Sequence, residues 1–135
     1  MLTLTPELYW LVLTLIFTGL LWVPYIIQLI IQQGPIMAIW DPTGAHPHDA
    51  SWALRARKAH YNAIENMAVM APLTILVAAM GIGDEVTTFA AALYFAVRVA
   101  HYVIYTFAVP VVRTVVFLIG FGCQMVFAGR LLGWW

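Results

Sequence analysis

The 135 residues have room for one domain, and 64% of them are hydrophobic while only 9% are charged, where soluble domains carry about 25% charge. That balance, with a mean hydropathy of +0.91, excludes a soluble monomer, and six Lys/Arg against six Asp/Glu leave no basic stripe to offset nucleic-acid phosphate. The one cysteine, Cys123, excludes an intramolecular disulfide and any CxxC redox or zinc motif, so the partner is lipid and stability must come from helices packed in a bilayer.

A hydrocarbon core about 30 Å thick is crossed by ~20 apolar residues as a helix, because unpaired backbone groups cannot be left in lipid. Residues 8–31 predict the first span: they carry no charge, Gln28 and Gln32 lie near the end, and Pro24 marks a kink. The segment lacks a basic leader and a small-residue cleavage site, so it reads as a retained helix. Gly34, Pro35, Asp41, Pro42, Gly44 and Pro47 are turn formers and predict the one long loop. The second span, 52–82, starts in the headgroups or beyond and is bent at Pro72. Gly81, Gly83, Asp84 and Glu85 predict a tight turn into the third span, 86–109, and Pro110 separates that from the fourth, 111–132. The expected architecture is all-α, a four-transmembrane-helix up-down bundle forming one domain over 1–135.

Orientation follows from the basic residues beside the spans. Arg55, Arg57, Lys58 and Arg113 lie at loops one and three against Arg130 on the other side, which puts both termini outside and those loops in the cytosol.

The polar residues within spans are clustered. At 100° per residue, Arg55, Lys58, Asn62, Glu65 and Asn66 share an arc of about 100° on the second span, with Arg57 and His60 pointing roughly the other way. Tyr94, Arg98, His101, Tyr102 and Tyr105 share a similar arc on the third. Arg98 lies roughly 15 Å from the span's cytosolic end, too deep to snorkel comfortably, and Glu65 is the carboxylate expected to pair with it. Such a pair can lock helices together without chemistry. With Arg113 and Thr114 opening the fourth span, all three clusters approach the cytosolic half and imply a multi-helix site for a small polar anion beside a lipid phase. His60 and His101 admit a bis-histidine haem reading, disfavoured by the cation sharing His101's face. His46 and His48 flank Pro47 and read as solvated, Cys123 as packing, and no metal site is assigned.

The run Arg55-Ala-Arg-Lys-Ala-His-Tyr-Asn-Ala-Ile-Glu65-Asn66 followed by Pro72, with Arg98-Val-Ala-His101-Tyr-Val-Ile-Tyr105, Pro110 and Arg113-Thr114, resembles the MAPEG family, the membrane-associated proteins in eicosanoid and glutathione metabolism. The resemblance implies a homotrimer with glutathione, as co-substrate, bound between neighbouring subunits near the cytosolic face. It makes Arg55, Lys58, His60, Asn62 and Glu65 glutathione contacts from the second span and Arg98, His101 and Tyr105 contacts from the third. Arg113 would stabilise the thiolate, with Thr114 standing where the family often has a serine and Tyr105 beside them. The family commonly has arginine where Lys58 stands, and many members have a basic residue where this chain has Gln28, Gln32 and Gln33.

The implied activity is a membrane glutathione transferase, also acting as a glutathione-dependent peroxidase, that attacks lipophilic electrophiles or hydroperoxides delivered by membrane lipid. The alternative is a non-catalytic lipid- or protein-binding member of the same fold. A channel is disfavoured because the polar faces stay in one membrane half. The short loops fit a bacterial inner membrane.

Overall fold

The computed structural model describes residues 4–41 and 48–135, and within them the chain is all-helical, with no strand. Residues His46, Pro42, Gly44 and Pro47 of the long loop lie outside the described residues. Helix α1 spans Pro6–Leu20 and starts as its sequence dictates: Pro6 needs no partner for a missing N–H, and the Thr5 hydroxyl accepts the Leu8 N–H at 3.4 Å.

The first span is not one continuous helix. It breaks at Leu21, and α2 resumes over Trp22–Gln33. The cause is Pro24, which has no N–H for the Leu20 carbonyl and whose ring crowds it, so the interruption falls a turn ahead of the proline itself. The long loop also contains a short helix, α3, Pro35–Ile39, entered through Gly34 at φ 83°. Helix α4 covers Ser51–Ala79 and runs through Pro72; α5 covers Glu85–Thr106 and α6 Pro110–Leu131. The second and third spans stop three residues short of 82 and 109, because Gly81 and Ala108 adopt left-handed backbone, φ 65° and 62°, and reverse the chain.

The four segments long and apolar enough to cross a membrane are α1 with α2, α4, α5 and α6. Helix α5 packs on α1, α4 and α6, and α2 packs on α4. One core joins Leu11, Met67, Met70, Val77, Tyr94, Cys123 and Phe127; Cys123 is buried packing, as its neighbours require. Ala53, Ala56, Ala59 and Ala63 form a fully buried stripe on α4, small side chains that let helix backbones approach closely in lipid. Large apolar residues such as Ile31, Phe89, Phe107 and Leu118 stay on the outside, the distribution of a bundle solvated by hydrocarbon.

The Asp84 end of the bundle is fastened by polar contacts. Asp84 caps α5 by accepting the Val86 and Thr87 N–H groups, each at 3.0 Å, while its own N–H donates to the Thr87 hydroxyl at 2.8 Å. Its carboxylate pairs with Arg130 at 3.3 Å. The Thr87 N–H, helped by Arg130, holds the Asp84 carboxyl below the usual carboxylate range. Buried Glu7 accepts from the Thr87 and Thr88 hydroxyls at 2.8 and 3.2 Å, tying α1 to α5. The Pro110 end instead carries the polar clusters.

Candidate functional site

Helices α5 and α6 run antiparallel and present matching stripes. On α5, Tyr94, Arg98, His101 and Tyr105 follow one another at intervals of four, three and four residues; on α6, Arg113, Phe117, Gly120 and Gln124 repeat those intervals in the opposite direction. The stripes meet rung by rung from the Pro110 end inward. The Arg113 guanidinium lies over the Tyr105 ring at 4.6 Å, a cation–π contact. The His101 ring sits 5.6 Å from Tyr105 and 6.3 Å from Phe117. The Arg98 guanidinium lies between Phe117 at 5.7 Å and Tyr94 at 5.3 Å, in room that glycine leaves: a methyl group at Gly120 would overlap Arg98 Nη2 and force the guanidinium to shift.

Helix α4 closes the third side. Arg98 Nη1 donates to Asn62 Oδ1 at 3.4 Å, Asn66 Nδ2 to the Asn62 carbonyl at 2.9 Å, and Gln124 Nε2 to the Asn66 carbonyl at 3.2 Å. Arg55 Nε donates to the Thr106 carbonyl at 2.8 Å, satisfying an acceptor at the end of α5. Three helices thus converge on Arg55, Asn62, Arg98, His101, Tyr105 and Arg113. Arg98 is 2% exposed, and its Nε and Nη2, with the Tyr94 hydroxyl, are buried without a hydrogen-bond partner among the described residues.

Arg98 does not pair with Glu65. The guanidinium turns toward α6, into the space Gly120 leaves, whereas Glu65 is exposed on the outer flank of α4. Lys58 is exposed on the same helix face. His60 stands apart from the convergence: its Nδ1 lies 2.8 Å from the Tyr25 hydroxyl on α2, and its ring stacks on Tyr61. His101 is held against Tyr105 and Phe117, so the two histidines belong to different packing contacts among the described residues. Thr114 is exposed and donates its hydroxyl to the Pro110 carbonyl at 3.3 Å, one position from Arg113.

The sequence reading passed over Gln124, Phe117 and Gly120. None is charged, but their spacing with Arg113 mirrors the α5 stripe, and that match was the available signal. At the mouth of the long loop, Gln28 and Gln32 of α2 are engaged, while Gln33 Nε2 is buried with no hydrogen-bond partner among the described residues. His48 Nδ1 donates to Gln28 Oε1 at 2.6 Å, Gln28 Nε2 to Gln32 Oε1 at 2.9 Å, and the Asp49 N–H to that same Gln32 oxygen at 2.9 Å. Burial and nearby Arg57 hold the His48 imidazole below its ordinary pKa.

Chemically, the Pro110 end offers guanidinium groups, a phenol, an imidazole and amides on rigid helices, together with an exposed Lys/Glu pair. Guanidinium and ammonium groups of that kind can hold anionic groups of a small molecule. No curated protein and no solved structure matches the chain. The family model described as MAPEG family, however, matches residues 8–133, covering all four spans and every residue of the convergence. The chain is a multi-pass membrane protein that belongs to the MAPEG family.

Proposed function

We propose that the chain is a glutathione transferase with glutathione-dependent peroxidase capacity, working as a homotrimer with its thiol site at the cytosolic, Pro110 end of the bundle. The observation that carries the reading is Arg113, half-buried over the Tyr105 ring at 4.6 Å and backed by the Arg98 rung behind it. Glutathione brings two carboxylates and one ammonium. Arg55 and Lys58 are suited to the acids, Asn62 to the peptide backbone and Glu65 to the amine.

A free thiol has a pKa of about 8.5 and is mostly protonated at neutral pH. Arg113 and the Tyr105 hydroxyl, with Thr114 adjacent, favour the thiolate; about 1.4 kcal/mol of differential stabilisation lowers that pKa by one unit. The sulfur lone pair then forms a C–S bond with a lipophilic electrophile as its leaving group departs with the bonding electrons. With a hydroperoxide, the sulfur takes the outer oxygen, the O–O bond breaks and the alcohol leaves after protonation; a second glutathione thiol returns the sulfenic acid to disulfide and water.

Replacing Arg113 by Ala is expected to leave assembly unchanged and to lower both the ultraviolet absorbance of bound thiolate and turnover about tenfold, the equivalent of one pKa unit. Unchanged absorbance and turnover would contradict the assignment.

A second reading, a non-catalytic lipid- or protein-binding member, is favoured by one observation: Gln28 and Gln32 are committed to His48 and Asp49 rather than left to meet a thiol's carboxylate. Calorimetric titration separates the two, since the non-catalytic reading predicts no heat at millimolar glutathione.

A further inference from the structure

Arg57 takes no part in the convergence on α5 and α6. It stands on another side of α4 from Arg55 and Asn62, and its guanidinium rests on the Tyr61 ring at 5.5 Å, with Nη2 donating to the Tyr61 hydroxyl at 3.4 Å. That bond uses one of five N–H donors, and no ion pair joins Arg57 to a described residue. With His48, Tyr25, Ile26, Leu29 and Tyr61 it lines a cavity of about 240 Å³ between α2, α4 and the long loop. At about 30 Å³ per water that is room for roughly eight waters, enough for a headgroup fragment and short of the ~300–1,000 Å³ of a drug-sized ligand site.

Depth says what such a fragment is. Trp40 and Trp52, 75% and 39% exposed, are the aromatic residues of the headgroup level at this end. Arg57 stands five residues beyond Trp52, about 7.5 Å further along α4, where hydrocarbon begins. A cation at that depth snorkels outward or takes a counter-ion, and the contact with Tyr61, one turn deeper, holds this guanidinium back from the loop. The anion at the headgroup boundary is phosphate, whose oxygens a guanidinium fork matches in pairs. The Tyr61 hydroxyl, an acceptor toward Arg57, still has its proton to donate. Asp41 shares the lining, so one carboxylate stands against one guanidinium, a balance that suits the single charge of a diester better than the greater charge of free phosphate. We propose that the α2–α4 cavity binds a phosphate group, the diester of a membrane phospholipid, with Arg57 and Tyr61 as donors and the lipid's apolar part beside Ile26 and Leu29. No residue of α5 or α6 lines it, and it does not depend on the thiol reading.

The test titrates the full chain in detergent with phosphatidylglycerol, whose only charge is the diester, and follows the first bound lipid by native mass spectrometry. Arg57→Gln should weaken binding about tenfold and Tyr61→Phe about threefold, by loss of one charge-assisted pair and one hydroxyl donor. Leu29→Trp, which fills the cavity from α2 without touching a charge, should abolish it, whereas Lys58→Gln, the same charge lost from the next residue, should leave it unchanged. Diacylglycerol, with the same chains and no phosphate, should bind at least tenfold more weakly. Millimolar inorganic phosphate should leave the lipid bound; displacement would overturn the lipid source in favour of free phosphate. Unchanged affinity in Arg57→Gln or Leu29→Trp, equal losses in Arg57→Gln and Lys58→Gln, or diacylglycerol binding as well as phosphatidylglycerol would each overturn the site itself.

Discussion

Arg98 is a buried cation without a carboxylate, and what makes it tolerable is local. Two aromatic faces, one amide oxygen and the missing side chain of Gly120 surround the guanidinium. Gly120→Ala should therefore destabilise the protein by about 1–3 kcal/mol, the usual cost of overpacking. In an Arg98→Met background, where the shorter side chain has no guanidinium to meet the added methyl, the same substitution should cost less than about 0.5 kcal/mol. Denaturant unfolding in micelles across the four-member cycle measures the difference; equal costs in both backgrounds would show that Gly120 serves helix contact and not the guanidinium. The sequence revealed that Arg98, His101 and Tyr105 share a face, because a 3.6-residue period is a local property of one helix. It misdirected Arg98 to Glu65, because choosing a partner by opposite charge ignores which neighbouring helix leaves room, and the room was made by an uncharged glycine.

Helix ends follow one pattern three times. After α4, α5 and α6 the chain closes with the same pair of hydrogen bonds, from Gly81 and Ile82, from Ala108 and Val109, and from Gly133 and Trp134 to carbonyls inside the helix, around a residue with left-handed backbone. Two of those residues are glycine. Ala108 is not, and its Cβ meets the strain that glycine avoids. Ala108→Gly should stabilise the fold by roughly 0.5–1 kcal/mol, read as a higher denaturant midpoint; a lower midpoint would mean that the Ala108 methyl packs usefully. The predicted span overshot to 109 for this reason, since an alanine gives no sequence sign of a helix stop. The Leu21 break was foreshadowed by Pro24, while α3 was hidden because Gly34 and Pro35 read as turn formers.

The link between α2 and the entry to α4 carries a pH dependence. The pKa of His48 lies below its ordinary 6.5, chiefly from burial, so the fold favours neutral imidazole. The stabilisation is present above about pH 6.5 and is lost as pH falls through that value toward the folded-state pKa. Exchange of the Asp49 amide, which donates to Gln32, should accelerate between pH 7.5 and 5.5 relative to its intrinsic rate, and His48→Gln should flatten that dependence; a profile unchanged by the substitution would release His48 from this role.

Across the whole molecule the polar groups divide by environment. Many of those facing inward bond within the bundle, as Asn62, Asn66 and Gln124 do, whereas Lys58 and Glu65 stand exposed on α4 beside Asn62, with no ion pair to a described residue. A charge facing lipid costs about 2.5–3.5 kcal/mol near mid-membrane and less toward the interface, so two such groups about two turns apart on one helix face are not neutral decoration of a lipid-exposed surface. The four helices were legible in the sequence because hydropathy and length are properties of each segment alone. What Lys58 and Glu65 meet was not, because neither side chain is paired with a described residue of the chain and segment hydropathy says nothing of a neighbour. Under the proposed function the face meets glutathione and a neighbouring copy, so the double substitution Lys58→Met, Glu65→Leu should weaken glutathione binding at least tenfold by calorimetry, through the loss of two charge-assisted contacts. The same substitution should do nothing to thiol binding and raise the unfolding midpoint if hydrocarbon were the true neighbour, because removing unpaired charge from lipid can only stabilise. Measured together on one variant, binding and midpoint move in patterns that the two neighbours cannot share.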